Sequence, residues 1–365
     1  MTSLVTESKA ALDTPVLCID WDAMERNIQR MARYMADRGK QWRPHLKCHK
    51  TPEIAHQVIA AGAIGLTCAK LSEAEVMAKA GIEDLLIANM VVGPLKVGRA
   101  AQLCHVARPI IACDHYAQVT PLAEACQAEG VTCRLLIEVN IGLDRVGVSP
   151  GKDTIELAEA ISKLKGVELA GIMGYEGHLL RIVDQDEKRT KIAEAIGTLV
   201  DTAERIRQRG ISCEIVSAGG TGSYQITADL PGVTELQAGG GIFADPFYLN
   251  QCQVKDLEPS LTVLATVVSR PTRNRAILDC GRKTHYPDLE PPIIKGYPDA
   301  KVTQVSAEHC TLELSGPAQE LRIGDRVELH PGYADFTTVL HNKFYACRGD
   351  EVAAVWDIAA RGCLQ

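Results

Sequence analysis

The sequence predicts a (β/α)8 TIM barrel with an antiparallel β domain after it, and three observations point there. Eight short apolar segments recur between residues 42 and 240, each followed by a helical stretch. No GxGxxG follows the first of them, so the rival doubly wound sheet lacks its main support. After about residue 255 helical periodicity stops, and β-branched, partly alternating runs separated by turn residues take over.

In chain order, "DTPVLCID" (13–20) reads as a strand belonging to the β domain, and "WDAMERNIQRMARYMADRG" as a helix leading into the barrel. The barrel segments are "WRPHLK" (42–47), "GLTCAK" (65–70), "DLLIAN" (84–89), "RPIIACD" (108–114), "CRLLIEVN" (133–140), "ELAGIMGY" (168–175), "CEIVSAGG" (213–220) and "VTELQAGG" (233–240). Most are unbroken apolar runs, as expected of parallel strands covered on both faces. Between them, "SEAEVMAKAG" opens with Ser72 and Glu75 at the spacing of a capping box. Both it and "DEKRTKIAEAIGTLVDTAERIRQRG" end on glycine. "SLTVLATVVSRP", "RAILDCG", "AKVTQVSAEHCTLELSG", "DRVELHPG" and "EVAAVWDIAARG" supply the β domain. The predicted division is residues 1–24 as an N-terminal strand joining the β domain, 25–254 as the barrel and 255–365 as the β domain.

Composition narrows the function. The 365 residues carry a formal charge of −7, which argues against a general nucleic-acid-binding surface. The 13 cysteines show no CxxC or zinc-knuckle spacing, and "MTSLVTESKAALDTP" is not a signal peptide, so reduced thiols and a cytoplasmic location are expected. No run approaches the roughly 18 apolar residues a membrane span requires.

Sites in such barrels form at the C-terminal ends of the strands. "WRPHLKCHK" (42–50) brings Lys47 to the end of the first one. Desolvation there lowers a lysine's pKa and frees the amine for Schiff-base chemistry. After the seventh segment, the glycines of "SAGGTGSY" (217–224) can aim N–H groups at a phosphate, with a hydroxyl from Thr221 or Ser223. "QAGGG" (237–241) can do the same after the eighth. A lysine on strand one and a phosphate site after strands seven and eight are what pyridoxal phosphate needs. As a basic patch, "RPHLKCHK" reads poorly: its flanks are not basic and no aromatics are interleaved for base stacking.

"DTPVLCIDWDAMERNI", "RPHLKCHKTPEIA", "AGAIGLTCAKLSEAE", "GIEDLLIANMVVGPLK", "LDRVGV", "AGGTGSY", "ELQAG" and "EVAAVWDIAARG" occur in that order. The series resembles the D-threonine aldolase and eukaryotic-type D-serine dehydratase family from about Asp13 to Gly362. These are fold-type III pyridoxal phosphate enzymes related to alanine racemase. The resemblance implies that Lys47, and not Lys50, carries the cofactor, with Arg43 and His45 framing it. It implies that Arg145 reaches the cofactor's phenolic oxygen and Tyr175 lines its ring. Gly219, Gly220, Thr221, Gly222, Gly239 and Gly240 are implied to cradle the phosphate. A homodimer acting on a small amino acid is also implied.

One departure stands out. The family holds a metal pair in the β domain within P-x-H-x-D-P-T or P-x-H-x-C, whereas this chain reads "PGYADFTT". Asp335 is kept, but Tyr333 takes the histidine position, and a neutral phenol is a poor ligand for a divalent ion. His330 or His341 would be the substitutes; in a strand, even spacing would put Asp335 and His341 on one face. Ala69, Met90, Gly240 and Gly241 also depart from the family pattern at strand ends. The resemblance implies a lyase on a D-3-hydroxy amino acid. One form is retro-aldol cleavage to glycine and an aldehyde, with Tyr333, His309 or a retained metal on Asp335 as the base. The other is elimination to a keto acid and ammonia. The alternatives are a racemase using Lys47 and Tyr333 as opposed bases, and a non-catalytic pyridoxal phosphate-binding protein.

Overall fold

The structure, a computed structural model, describes residues 7–365; the start of the N-terminal stretch read above for a signal peptide and for residues 1–24 lies outside the described residues. The chain divides into two compact units.

The first unit comprises Met31–Lys47, Ile54–Gly239 and Cys363–Gln365. Its eight strands are Gln41–Trp42, Leu66–Cys68, Asp84–Ile87, Arg108–Cys113, Cys133–Glu138, Val167–Met173, Ile215–Ala218 and Glu235–Leu236. All pair in parallel, the first beside the eighth and the rest in sequence order down to the second. A parallel bridge between His45 and Thr67 joins the first strand to the second and closes the ring. The apolar runs have their cause in burial on both faces: Leu85, Leu86, Ile110, Leu135, Leu136 and Ile137 are fully buried. Each such side chain contributes roughly 1.5–3 kcal/mol by leaving water. Leu86, Ile110, Ala112, Leu136 and Met173 form one core cluster across neighbouring strands.

The helix Leu71–Lys79, with Lys70 at its N-cap, starts two residues earlier than its Ser72–Glu75 signal suggests. The carboxylate at its start is that of Glu73, which accepts from the amides of Ala69 (2.6 Å) and Lys70 (3.1 Å). Glu75 instead takes a two-pronged hydrogen bond from Arg99 at 2.8 and 2.6 Å. Helix Gln185–Gln208 is capped by Asp184, which accepts from Asp186 and Glu187. Ile192, Ile196, Leu199, Ala203 and Ile206, spaced three or four apart, form its buried face.

Arg43 requires a correction. It does not frame a site at the C-terminal strand ends. Its side chain is 2% exposed, with Nε 3.1 Å from both carboxylate oxygens of Glu235, and it also donates to Asp84. Asp84 further accepts from Arg108 at 2.8 Å and lies 3.2 Å from Arg134. Asp84 and Glu235 are the first residues of the third and eighth strands, so this network sits at the opposite end of the barrel. Burial alone raises the Asp84 carboxyl, but Arg43, Arg108 and Arg134 together hold it below its ordinary value.

The second unit contains residues 7–30, Cys48–Glu53 and Gly240–Gly362. Its sheets are built on Leu261–Thr272, which pairs antiparallel with Val16–Asp20, Arg326–His330 and Arg275–Leu278. The hairpin Lys343–Arg348/Glu351–Asp357 extends the sheet, with its first strand parallel to Val16–Asp20. Cys310–Leu314 and Ala300–Val305 continue the other edge. Of these strands, only Lys343–Arg348 had no counterpart among the predicted segments. The stretch Ala334–Thr338 is a short helix rather than a strand, so even spacing puts Asp335 and His341 on no common strand face. His341 follows that helix, its amide bonded to Thr338 O and its Nε2 2.7 Å from Thr284 O.

Candidate active site

In the barrel unit, the backbone of the first strand runs beside the eighth until His45 N–H donates to Gln237 O at 2.9 Å. A 3-10 turn, Leu46–Cys48, then lifts Lys47 off the strand end, half-buried. The Lys47 amide donates to His45 Nδ1 at 3.2 Å, so the proton of the neutral ring sits on Nε2. Gly239 lies where the eighth strand meets this turn: a Cβ there would stand 2.1 Å from His45 O. Its lack of a side chain lets the two backbones touch.

At the end of the fifth strand, Glu138 is buried, and burial raises its carboxyl above the ordinary value against the pull of Arg145. Arg145 Nη2 is 3.7 Å from that carboxylate, and the guanidinium is 5.8 Å from the Tyr175 ring centre. The loop carrying Arg145 is shaped by Asn140, whose Oδ1 accepts from the amides of Gly142 and Asp144 and whose Nδ2 donates to Asp144. Tyr175, after the sixth strand, lies against Gly177 and Gly220; a Cβ on either would come within 2.8 Å of its ring.

The loop after the seventh strand corrects the expected role of two glycines. Gly219, at φ +75°, gives its N–H to Glu176 Oε2 at 3.3 Å, and Gly220 gives its own to Ser223 Oγ at 3.1 Å. These amides are engaged within the protein. The amides of Thr221 and Gly222, in a buried loop, meet no acceptor among the described residues. Buried N–H groups in a glycine loop without a protein acceptor fit a phosphate. With Lys47 on the first strand of the same barrel, the residues suit pyridoxal phosphate.

The β unit holds the remaining predicted residues. Gly240 packs on Tyr248, where a Cβ would stand 2.5 Å from the ring. Lys50 belongs to this unit, at φ +52° with its carbonyl accepting from Ala360 N. His309 sits exposed in the turn between Ala300–Val305 and Cys310–Leu314. Phe247, Tyr248 and Phe336 stand 5.2, 5.9 and 5.2 Å from the Tyr333 ring centre. Tyr333 is nearly buried and donates its hydroxyl to Asp335 Oδ2 at 2.8 Å. His330 Nδ1 lies 3.0 Å from Leu261 O. At the position where the family has histidine stands a phenol already bonded to Asp335 Oδ2, and a phenol is a poor ligand for a divalent ion. Among the described residues no three His, Cys, Asp or Glu side chains form a metal-binding group.

Comparison with known proteins gives the class first. The model for the alanine racemase N-terminal domain matches residues 19–245, and that for a putative serine dehydratase domain matches 260–347. The chain is 36% identical to D-threonine aldolase of Arthrobacter sp. over 97% of this chain and 94% of that protein. It is 31% identical to 3-hydroxy-D-aspartate aldolase of Paracoccus denitrificans, over 97% and 93%. The crystal structure of D-threonine aldolase from Filomicrobium marinum superposes with a TM-score of 0.94 at 36% identity, covering 98% of this chain and 97% of that one. The chain therefore belongs to the D-threonine aldolase and D-serine dehydratase family of alanine-racemase-like pyridoxal phosphate enzymes.

Glu138, Asn140, Glu176 and Thr227 were not legible as site residues. Asn140 alone left a local signal, an asparagine opening a glycine-containing loop directly after an apolar strand.

Proposed function

We propose that the chain is a pyridoxal phosphate-dependent lyase that cleaves the Cα–Cβ bond of a small D-3-hydroxy amino acid. The observation carrying this is the pairing, within one barrel, of Lys47 at the end of the first strand with the unpaired Thr221 and Gly222 amides after the seventh. The relatives, named as aldolases for D-threonine and 3-hydroxy-D-aspartate, support the substrate class. When bound, pyridoxal phosphate supplies an electron sink for the charge that develops at the substrate's Cα.

The protein's part is positioning and proton control. Lys47, in the turn after the first strand, is the residue that would hold the cofactor covalently. His45 is kept in one tautomer by the Lys47 amide, with the ring proton at Nε2. Arg145, 3.7 Å from the Glu138 carboxylate, is the cation that would meet the cofactor's phenolic oxygen. Thr221 and Gly222 would take the phosphate through their amides. Elimination of the hydroxyl to a keto acid and ammonia is the second reading, favoured by the match of residues 260–347 to the serine dehydratase domain. We also propose a cytoplasmic homodimer; no helix among the described residues is long and apolar enough to cross a membrane, and all 13 cysteines are free thiols.

The test is incubation of the purified, cofactor-loaded chain with D-threonine and D-3-hydroxyaspartate, followed by product analysis and borohydride fixation. Glycine plus an aldehyde, with the reduced cofactor on the Lys47 peptide, is expected. Ammonia plus a keto acid would select the second reading. Fixation on another lysine would overturn both.

A further inference from the structure

Glu176 is fully buried, yet the described residues supply it no ion pair. Its charge is met by two donors. Thr227 Oγ1 donates to Oε1 at 2.5 Å, and Gly219 N–H donates to Oε2 at 3.3 Å. Thr227 is itself fully buried in the short helix Tyr224–Thr227, and Gly219 holds the left-handed backbone at the start of the glycine loop. A Cβ on Gly219 would approach the Leu236 side chain at 2.8 Å and the Thr227 methyl at 3.4 Å, so loop and helix are already in contact there.

A carboxylate removed from water with so few donors is costly, and near an anion site it adds repulsion. Simple packing would be served better by an apolar side chain. What the carboxylate does here is span two turns. It stands one residue after Tyr175, whose ring covers Gly220, and it ties the loop after the sixth strand to both ends of the segment 219–227. By engaging the Gly219 amide, it fixes which peptide groups of the loop remain free: those of Thr221 and Gly222.

We propose that Glu176 is a positioning residue that sets the phosphate loop, clamping Gly219 and Thr227 so that the Thr221 and Gly222 amides converge on the cofactor's phosphate. This rests on the cofactor reading above. The effect of Glu176 passes through the loop, by its bonds to Gly219 and Thr227.

The discriminating probe is a pair of ligands differing only in the phosphate. Affinities of the full-length apoprotein for pyridoxal phosphate and for pyridoxal are measured by fluorescence titration, for the wild type and for Glu176→Ala, Glu176→Gln and Thr227→Val. Glu176→Ala is expected to weaken pyridoxal phosphate by about tenfold or more, while pyridoxal changes by less than about twofold. Glu176→Gln, which keeps an acceptor for Gly219 and a partner for Thr227, is expected to recover most of the loss. Should Glu176→Ala fail to fold, Thr227→Val, which removes one donor only, reads the same ratio. Equal weakening of both ligands would mean a general structural role and overturn the proposal, as would an unchanged ratio in Glu176→Ala and Thr227→Val. A wild type that binds pyridoxal phosphate no better than pyridoxal would bring down the phosphate site as well.

Discussion

Tyr333 is bonded through its phenol to Asp335, with the hydroxyl 2.8 Å from Oδ2 and the ring packed among Phe247, Tyr248 and Phe336. A divalent ion on Asp335 would have to displace that hydrogen bond and take a phenol as its neighbouring ligand. The expected outcome is a lyase indifferent to chelation: dialysis against EDTA leaves turnover of a D-3-hydroxy amino acid within about twofold, and added Mn2+ does not raise it. In Tyr333→His the imidazole–carboxylate pair returns, and Mn2+ is expected to bind it measurably by calorimetry. Wild-type activity lost in EDTA and restored by Mn2+ would refute this account.

Arg43 neighbours the lysine in sequence but belongs to the far end of the barrel. Replacing it with Met leaves Glu235, which is 2% exposed, without its cation and takes one of three arginines from Asp84. The loss is expected to be about 3–5 kcal/mol in urea unfolding, the usual cost of orphaning a buried charge. Borohydride fixation on Lys47 should persist in the folded fraction. Normal stability with lost fixation would return Arg43 to the site.

The contrast between Lys47 and Arg43 shows what a single sequence can and cannot place. Parallel strands buried on both faces read as apolar runs, so all eight were visible, and with them the strand end on which Lys47 lies. The direction Arg43 takes was not visible, because its partners Asp84 and Glu235 are 41 and 192 residues away. The glycines were visible as a loop, but the engagement of Gly219 depends on Glu176, 43 residues earlier. Even spacing of Asp335 and His341 pointed to a shared face only if the stretch were a strand; instead Thr337 turns its hydroxyl back to Tyr333 O at 2.9 Å within a helical turn. Local pattern carries periodicity, while long-range pairing decides which polar groups remain for a ligand.

Gly239→Ala tests the junction of the first and eighth strands. The added Cβ would stand 2.1 Å from His45 O and 2.7 Å from His45 N, and backbone cannot swing aside as a side-chain tip can. Destabilisation beyond about 3 kcal/mol is expected by urea denaturation, since relief requires moving the strand end itself. A neutral effect would show that the strand end has room the geometry denies.

His49 should make stability depend on pH. It is 1% exposed, its Nδ1 accepts from Thr51 N at 3.1 Å, and burial pushes its pKa down to about 3 from the ordinary 6.5. Between those values the unfolded chain binds a proton that the folded chain does not. Stability therefore rises with pH across this window, is fully present above the unfolded value, and is lost as pH falls toward 3. From pH 7 to pH 5 the single group is expected to cost about 2 kcal/mol. His330 and His341, also lowered by burial, act in the same direction. His49→Asn keeps an acceptor for the Thr51 amide without titrating. The difference in unfolding free energy between the two pH values should shrink by about that amount in the variant. The same difference in variant and wild type would mean that His49 is protonated in the folded chain, and that the hydrogen bond from Thr51 is not made through Nδ1.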